Sequence, residues 1–500
     1  MEVVGELVRP PEPGGFPGWL LVRDTEEGRR AQAEYADYWY RNKYHGGPDS
    51  PHRAVVGVQE VAADAKGRPV LRLKYVRPFK GDPPGRGERF LLSERFTDFT
   101  TDALVRFLEG LDLTGGGLLL DLLRTPEEAA APLPLPKRVE TAAARAADQF
   151  GFTPSQRAAY DAIRGQRVTA VWGPPGTGKT HFLASTILGL AAAHAATGKP
   201  FRVLVTAYTH AAIENLLRKL AQLREARGGP AGLRLAKAKY WQTAPHPIEV
   251  VAEADLGNWL DDSDLSVLGA TAYSCLKDEG AGEFDLVVID EASQVRVPEV
   301  AVAVSRVADG GRLVLAGDHL QLPPIIAGVY PEPPPGEPPL HRSIFEAVVP
   351  LRIADCGLRI EDRETPTSSR SSNPQSAVRN PQSRLLRPLL ENFRMNDVLT
   401  SAAARLLYGA GYRCVGPEVA RRRLNYKPGR DADPLVRACL DPQFPLVIVT
   451  LDGVRAAQAN PVEADLVAQL VTELRQGLRA ADGRPYRDDA AFFREGVFVV

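Results

Sequence analysis

Two stretches of this chain carry residue types and spacings suited to phosphate chemistry. The first, Gly173-Pro174-Pro175-Gly176-Thr177-Gly178-Lys179-Thr180, fits the phosphate-loop pattern G-x-x-x-x-G-K-[ST] at every position. Glycines let backbone N–H groups close around phosphate oxygens. Lys179 would reach the outer phosphates of ATP, and the Thr180 hydroxyl would hold Mg²⁺. The second stretch runs from Phe284 to Gln294 and places Asp290 and Glu291 directly after the apolar run Leu286-Val287-Val288-Ile289. Asp290 would accept from Mg²⁺-bound water. Glu291 would orient and deprotonate an attacking water, the general-base role in phosphoanhydride hydrolysis. A third stretch, Arg312 to Pro324 (RLVLAGDHLQLPP), again leads an apolar run into a polar loop, and Gln321 there would hydrogen-bond a γ-phosphate.

Such side chains need elements to position them. Arg167 to Trp172 (RVTAVW) reads as a short buried strand and the residues from Thr180 onward as an apolar helix. A loop between them directs backbone N–H groups and the positive helix end at one point. Continuous apolar runs such as Leu286–Ile289 suit strands covered on both faces, as in a parallel sheet. Ligands bind beyond the carboxyl ends of such strands. The fold class is therefore α/β, a P-loop NTPase.

The stretches GPPGTGKT, VVIDEASQ and LAGDHLQLPP resemble motifs I, II and III of superfamily 1 helicases, and within them the 5′-to-3′ subgroup that includes the nonsense-mediated-decay helicase and its bacterial relatives. Further stretches match in order over about residues 150 to 500. Phe152-Thr-Pro-Ser-Gln156 is similar to the Q motif, which implies that Gln156 reads the adenine edge. Val205 to Asn215 resembles motif Ia, and Gly269 to Ser274 resembles motif Ic. This implies nucleic-acid contacts at Thr209, His210 and Thr271. Leu390 to Asn396 (LENFRMN) resembles L-x-x-x-Y-R-M-H, with Phe393 for the usual tyrosine and Asn396 for the usual histidine. Phe393 would still stack on adenine, and Arg394 would join Gln321 in coupling γ-phosphate loss to domain opening. The resemblance implies RecA-like parallel sheets, ATP and Mg²⁺ as ligands, and single-stranded or partly duplex DNA or RNA as partner.

The family's motif VI supplies an arginine to the γ-phosphate, and nothing here resembles Q-G-x-E or T-R-A. Pro445 to Leu451 (PLVIVTL) reads as a strand, Val462 to Leu478 as a helix, and Gly496 to Val500 as the start of another strand. The expectation is a sequence cut short before motifs V and VI, with an incomplete second RecA-like domain and feeble hydrolysis by residues 1–500 alone. The layout expected is an accessory region over 1–140, a first RecA-like domain over 141–350, a disordered insertion over 351–385 and the second domain over 386–500.

Within the accessory region, 52–95 is β-rich: His52 to Pro78 reads as a hairpin turning at Asp64–Gly67. A helical stalk follows over Asp98 to Leu123, and then a Pro-rich linker from Thr125 to Arg138. Ala31 to Tyr44 reads as a helix whose aromatics favour core packing over base stacking. Pro323 to Pro339 is proline-rich, and Glu361 to Ser383 repeats N-P-Q-S without an apolar period, which predicts exposed, protease-sensitive chain.

The formal net charge of −1 does not announce a nucleic-acid binder, so any basic track must be local. The four cysteines are widely spaced without a C-x-x-C pair, which argues against a zinc site or disulfide framework. No basic-then-apolar signal opens the chain, and the alanine-rich stretch at Leu188 to Ala196 is too short to span a bilayer. The expected setting is the cytoplasm, without a membrane. Two functions remain open from sequence: an ATP-driven helicase or translocase, and a nucleotide-dependent clamp or degenerate remnant without motor activity.

Overall fold

The computed structural model describes residues 2–4, 19–32, 50–63, 68–94, 101–114, 117–239, 241, 243–272, 274, 283–324, 333–334, 341–349, 383–429, 433–453, 460–480, 482–497 and 499. The chain divides into two compact units, 1–109 and 110–500.

The first unit is built on an antiparallel sheet of five strands: β1 (Glu2–Val4), β2 (Trp19–Arg23), β3 (Arg53–Ala63), β4 (Pro69–Arg77) and β5 (Phe90–Glu94), in the order β1-β4-β3-β2-β5. The hairpin expected over His52 to Pro78 is β3 and β4. Leu21, Val56, Val58, Leu71, Leu73 and Phe79 form its core. Of the helix expected over Ala31 to Tyr44, residues 33–44 lie outside the described residues. In the stretch expected as a helical stalk, the described residues form the helices Thr101–Thr114, which crosses the boundary between the units, and Gly117–Arg124, which belongs to the second; residues 98–100 and 115–116 lie outside the described residues.

The second unit is organised by an eight-stranded sheet in the order β13-β6-β12-β11-β7-β10-β8-β9, every pair parallel. Its strands are β6 (Val168–Trp172), β7 (Phe201–Ala207), β8 (Arg234–Ala238), β9 (Ile248–Val251), β10 (Leu265–Gly269), β11 (Phe284–Asp290), β12 (Val307–Gly317) and β13 (Leu386–Pro388). All five residues of β6 and of β10 are buried, Thr169 and Ser266 included, as suits strands covered on both faces. The helix Lys179–Ala195 buries residues all around its circumference from Phe182 to Ala193, so it carries no polar stripe. It packs in one core with the helix His210–Arg227 and with Val171, Val203, Val205, Val288 and Val314. This is the α/β P-loop fold expected.

Parallel order puts every strand's carboxyl end on one rim. The phosphate loop leaves β6, Thr209 follows β7, Thr271 follows β10, Glu291 follows β11 and Gln321 follows β12. The strand before the loop is held on both sides: Gly173 N donates to Gly317 O at 3.0 Å, and Leu389 N donates to Trp172 O at 2.8 Å.

Leu386–Pro388, at the start of the stretch expected to form the second domain, is β13 and pairs with β6 at the edge of the eight-stranded sheet. One expectation for the C-terminal part needs correction. Pro445 to Leu451 is not a strand. An extended segment becomes one only where neighbours take its N–H and C=O groups, and no described residue pairs with this one. Ile448 is 82% exposed, with Leu446 and Val449 also at the surface. The helix expected over Val462 to Leu478 is present as Pro461–Gly477, and its Leu466, Leu470 and Leu474 pack on Tyr426, Val436 and Leu440. Among the described residues, 389–500 hold one further sheet, the parallel pair β14 (Glu391–Asn392) and β15 (Arg413–Cys414). Of the strand expected over Gly496 to Val500, residues 498 and 500 lie outside the described residues, and 496, 497 and 499 are not in a strand. The N-P-Q-S repeats lie outside the described residues, apart from Ser383.

Candidate nucleotide site

The phosphate loop and the acidic end of β11 meet directly. Lys179 Nζ donates to Glu291 Oε1 at 2.7 Å and lies 3.3 Å from Asp290 Oδ1. Burial alone would lower the lysine pKa. Asp290 and Glu291 outweigh that, and the net shift is upward. Lys179 is thus held as a cation. Asp290 is buried, and one of its oxygens also accepts from the Glu291 N–H at 2.9 Å. Glu291 has φ +52°, the left-handed region that costs a non-glycine residue about 1–2 kcal/mol. That turn takes the chain off the sheet immediately after Asp290.

The loop is shaped from within and behind. Thr177 Oγ1 donates to Pro174 O at 2.7 Å. Gly176 and Gly178 have φ of +78° and +73°. Gly176 is needed for a second reason: a Cβ there would lie 2.2 Å from Asn392 Oδ1 and 2.9 Å from Arg394 Cβ. The segment after β13 therefore presses against the loop. Phe393 N donates to Gly176 O at 2.7 Å, and the Tyr412 hydroxyl donates to Pro175 O. Burial is the main cause pushing the Tyr412 pKa up to about 12, so its hydroxyl keeps its proton.

Buried Glu391 fastens the same segment to the start of the helix Pro154–Gly165. It accepts from Thr153 Oγ1 at 2.8 Å, from Ser155 Oγ, and from Arg413 NH2 at 2.6 Å. Asn392 Oδ1 accepts from Arg394 N at 2.9 Å and Met395 N at 3.1 Å, a local turn that leaves Phe393 and Arg394 facing outward. Asn396, where the helicase pattern has histidine, caps the helix Asp397–Ala403 by accepting from Leu399 N at 3.1 Å.

These parts enclose a cavity of about 520 Å³. Gly173, Pro174, Pro175, Gly176, Gly178, Lys179, Thr180, Glu291, Gln321, Phe393 and Arg394 line it, so most residues expected to touch a nucleotide border one cavity. Gln156 and Thr177 lie behind the loop. Gln156 Nε2 donates to Thr177 O at 3.2 Å and its Oε1 accepts from Thr153 N at 3.2 Å. The amide expected to read adenine is engaged in bracing the loop. It stays beside Phe393: a Cβ on Gly178 would meet Gln156 Nε2 at 3.6 Å and Phe393 Cδ2 at 3.7 Å.

Two lining residues were missed from sequence, His181 and Arg422. His181 merely follows the motif. Arg422 sits in the run Arg421–Arg423, which reads as solvated charge, yet its NH1 donates to Phe393 O at 2.8 Å.

Thr209, His210 and Thr271 occupy the same rim, just beyond the carboxyl ends of the neighbouring strands β7 and β10. Thr209 caps the helix His210–Arg227, accepting from Ala212 N at 3.2 Å. Thr271 Oγ1 accepts from Ser274 N at 3.2 Å. Burial, then the positive Lys237, hold His210 below its ordinary pKa despite the opposing pull of Glu214, so it is neutral at pH 7. Among the described residues no group of three or more acidic, histidine or cysteine side chains is arranged for a metal, and no helix is long and apolar enough to cross a membrane.

The arrangement can cradle a polyphosphate, neutralise its charge and offer a carboxylate base beside it. Comparison with known proteins agrees. The chain is similar to the "DNA replication ATP-dependent helicase/nuclease JHS1" of Arabidopsis thaliana, 25% identical over 347 residues, or 65% of this chain and 22% of that protein. It is similar to "DNA replication ATP-dependent helicase/nuclease DNA2" of Saccharomyces cerevisiae, 31% identical over 177 residues, or 34% of this chain and 11% of that protein. The human DNA2 protein is 24% identical over 353 residues, covering 64% of this chain and 28% of its own length. The chain thus spans less than a third of each of these relatives. Residues 151–331 match the family model described as an AAA domain, and with the motifs and the parallel sheet these matches support a P-loop domain of the superfamily 1 helicase kind.

Proposed function

We propose that this chain hydrolyses ATP to move along or unwind a nucleic-acid strand, as a helicase or translocase of superfamily 1. The observation that carries the reading is the contact of Lys179 with Asp290 and Glu291 at the mouth of the phosphate loop. In this reading Lys179 meets the outer phosphates, Glu291 activates water, and Gln321 and Arg394 face the γ-phosphate. Phe393 stacks on adenine, with Gln156 beside it. Thr180 and Asp290 offer two oxygen donors. That suits Mg²⁺, which keeps waters and phosphates in its shell, better than a cage-bound metal. Bound Mg²⁺ supplies charge neutralisation on the phosphates.

The strand would cross the rim at Thr209, His210 and Thr271. The relatives are named for DNA replication, and DNA is the proposed partner. The 5′-to-3′ direction is proposed from the motif resemblance.

The test is ATP turnover with and without single-stranded DNA, or RNA of the same sequence. DNA is expected to raise the rate severalfold, more than RNA does. The double variant His210→Ala, Thr271→Ala is expected to lose most of that stimulation while keeping the basal rate. ATP binding without turnover under any strand would overturn the motor reading in favour of a nucleotide-dependent clamp.

A further inference from the structure

Asp318 is fully buried at the carboxyl end of β12 and gathers four donors from three parts of the chain. Its Oδ1 accepts from Trp172 Nε1 at 3.0 Å and from Leu320 N at 3.2 Å. Its Oδ2 accepts from the Tyr408 hydroxyl at 2.9 Å and from Gln321 Nε2 at 2.8 Å. Trp172 is the last residue before the phosphate loop, and Tyr408 ends the helical turn Ala404–Tyr408. Trp172 and Tyr408 also pack ring to ring, with centroids 6.0 Å apart. Of the side chains on this carboxylate, only Gln321 lines the cavity. Burial and the negative Asp318 push the Tyr408 pKa up, so its hydroxyl stays a donor.

We propose that Tyr408, with Trp172, is a positioning residue for hydrolysis: it fixes the Asp318 carboxylate and thereby lets Gln321 turn between that carboxylate and a bound phosphate. The proposal rests on the ATPase reading above. Gln321 must leave Asp318 Oδ2 to meet a γ-phosphate. A buried carboxylate oxygen left without a donor is costly. Tyr408 keeps that oxygen satisfied while Gln321 is away. Without the hydroxyl, Gln321 is retained on Asp318 and the step that needs it at the phosphate slows.

The test is Tyr408→Phe, which removes one oxygen and keeps the ring packing. Its kcat for ATP is expected to fall about 10-fold, the scale of one hydrogen bond to a charged group, with KM and nucleotide affinity unchanged. In a Gln321→Ala background the same change is expected to cost nothing further. A merely structural role would lower the melting temperature and cut kcat equally in both backgrounds. That additive result overturns the proposal. If Tyr408→Phe does not fold, Trp172→Phe removes the donor on the other oxygen, and the same non-additivity is required. Lys179→Ala separates the two readings. Wild-type turnover in that variant would show that ATP is not hydrolysed at this phosphate loop and would sink the site reading on which the role of Tyr408 rests. A dead Lys179→Ala with additive Tyr408→Phe would sink only the role of Tyr408.

Discussion

Glu291→Gln is expected to bind ATP as the native protein does and to hydrolyse it at least about 10²-fold more slowly, the share of a barrier that a positioned general base removes. The substitution is isosteric. A glutamine oxygen still accepts from Lys179 Nζ, which now lies 2.7 Å away, so the loop keeps its shape. The basicity goes, and with it one negative charge, while buried Asp290 still pairs with Lys179. The backbone at this position sits at φ +52°, fixed by the exit from β11 and by the bond from its N–H to Asp290, so the side chain has little freedom to be replaced functionally by a neighbour. Nucleotide affinity by a fluorescent analogue and single-turnover hydrolysis separate the two effects. Turnover at the native rate would remove Glu291 from the role of base.

Lys179→Ala is expected to abolish turnover and also to destabilise the protein before any nucleotide is added. In the free protein this lysine is the counter-ion of two carboxylates, one of them buried. Breaking a buried ion pair from one side costs about 3–5 kcal/mol, and the partial exposure of Glu291 places this case near 3 kcal/mol. Denaturant unfolding without nucleotide measures it. An unchanged midpoint would mean that the carboxylates do not depend on Lys179 for neutralisation. The pH dependence has a definite sign. The folded pKa of Lys179 lies above its ordinary 10.5, so the contribution is fully present at neutral pH and is lost only as pH rises past that value. Between pH 6 and 9, as a working range, the difference between native and variant should therefore not reflect titration of Lys179.

The central sheet and the phosphate side of the site were legible because they are local. GPPGTGKT needs only its own glycines and the strand and helix beside it, and the apolar runs ending in Asp290 and in Gly317 declare buried parallel strands by themselves. The residues that escaped are those whose partners lie far along the chain. Glu391 reads as one more acid in LENFRMN, and only the fold brings it to Thr153 and Ser155. Gln156 matches its motif, but its bonds to Thr177 and Thr153 follow from the geometry of the loop. Arg422 has no local signal that separates it from Arg421 and Arg423. The failure at Pro445 to Leu451 has the same origin. Val and Ile in succession express a preference for extended backbone, whereas a strand is a pairing, and a pairing partner is not written in the segment itself.

The position of β13 has a consequence for how the molecule is made. The strand that carries the phosphate loop is flanked by β12 on one side and β13 on the other, and Tyr412 closes onto Pro175 from 237 residues away. Synthesis proceeds at about 5–20 residues per second, so the loop waits on the order of 10 to 50 seconds after leaving the ribosome for its last wall. Through that interval one edge of β6 has no neighbour, and an unpaired edge is a template for pairing with another chain. The phosphate loop is thus synthesised early in this unit and walled in late, which makes the growing chain dependent on protection at the strand that carries it.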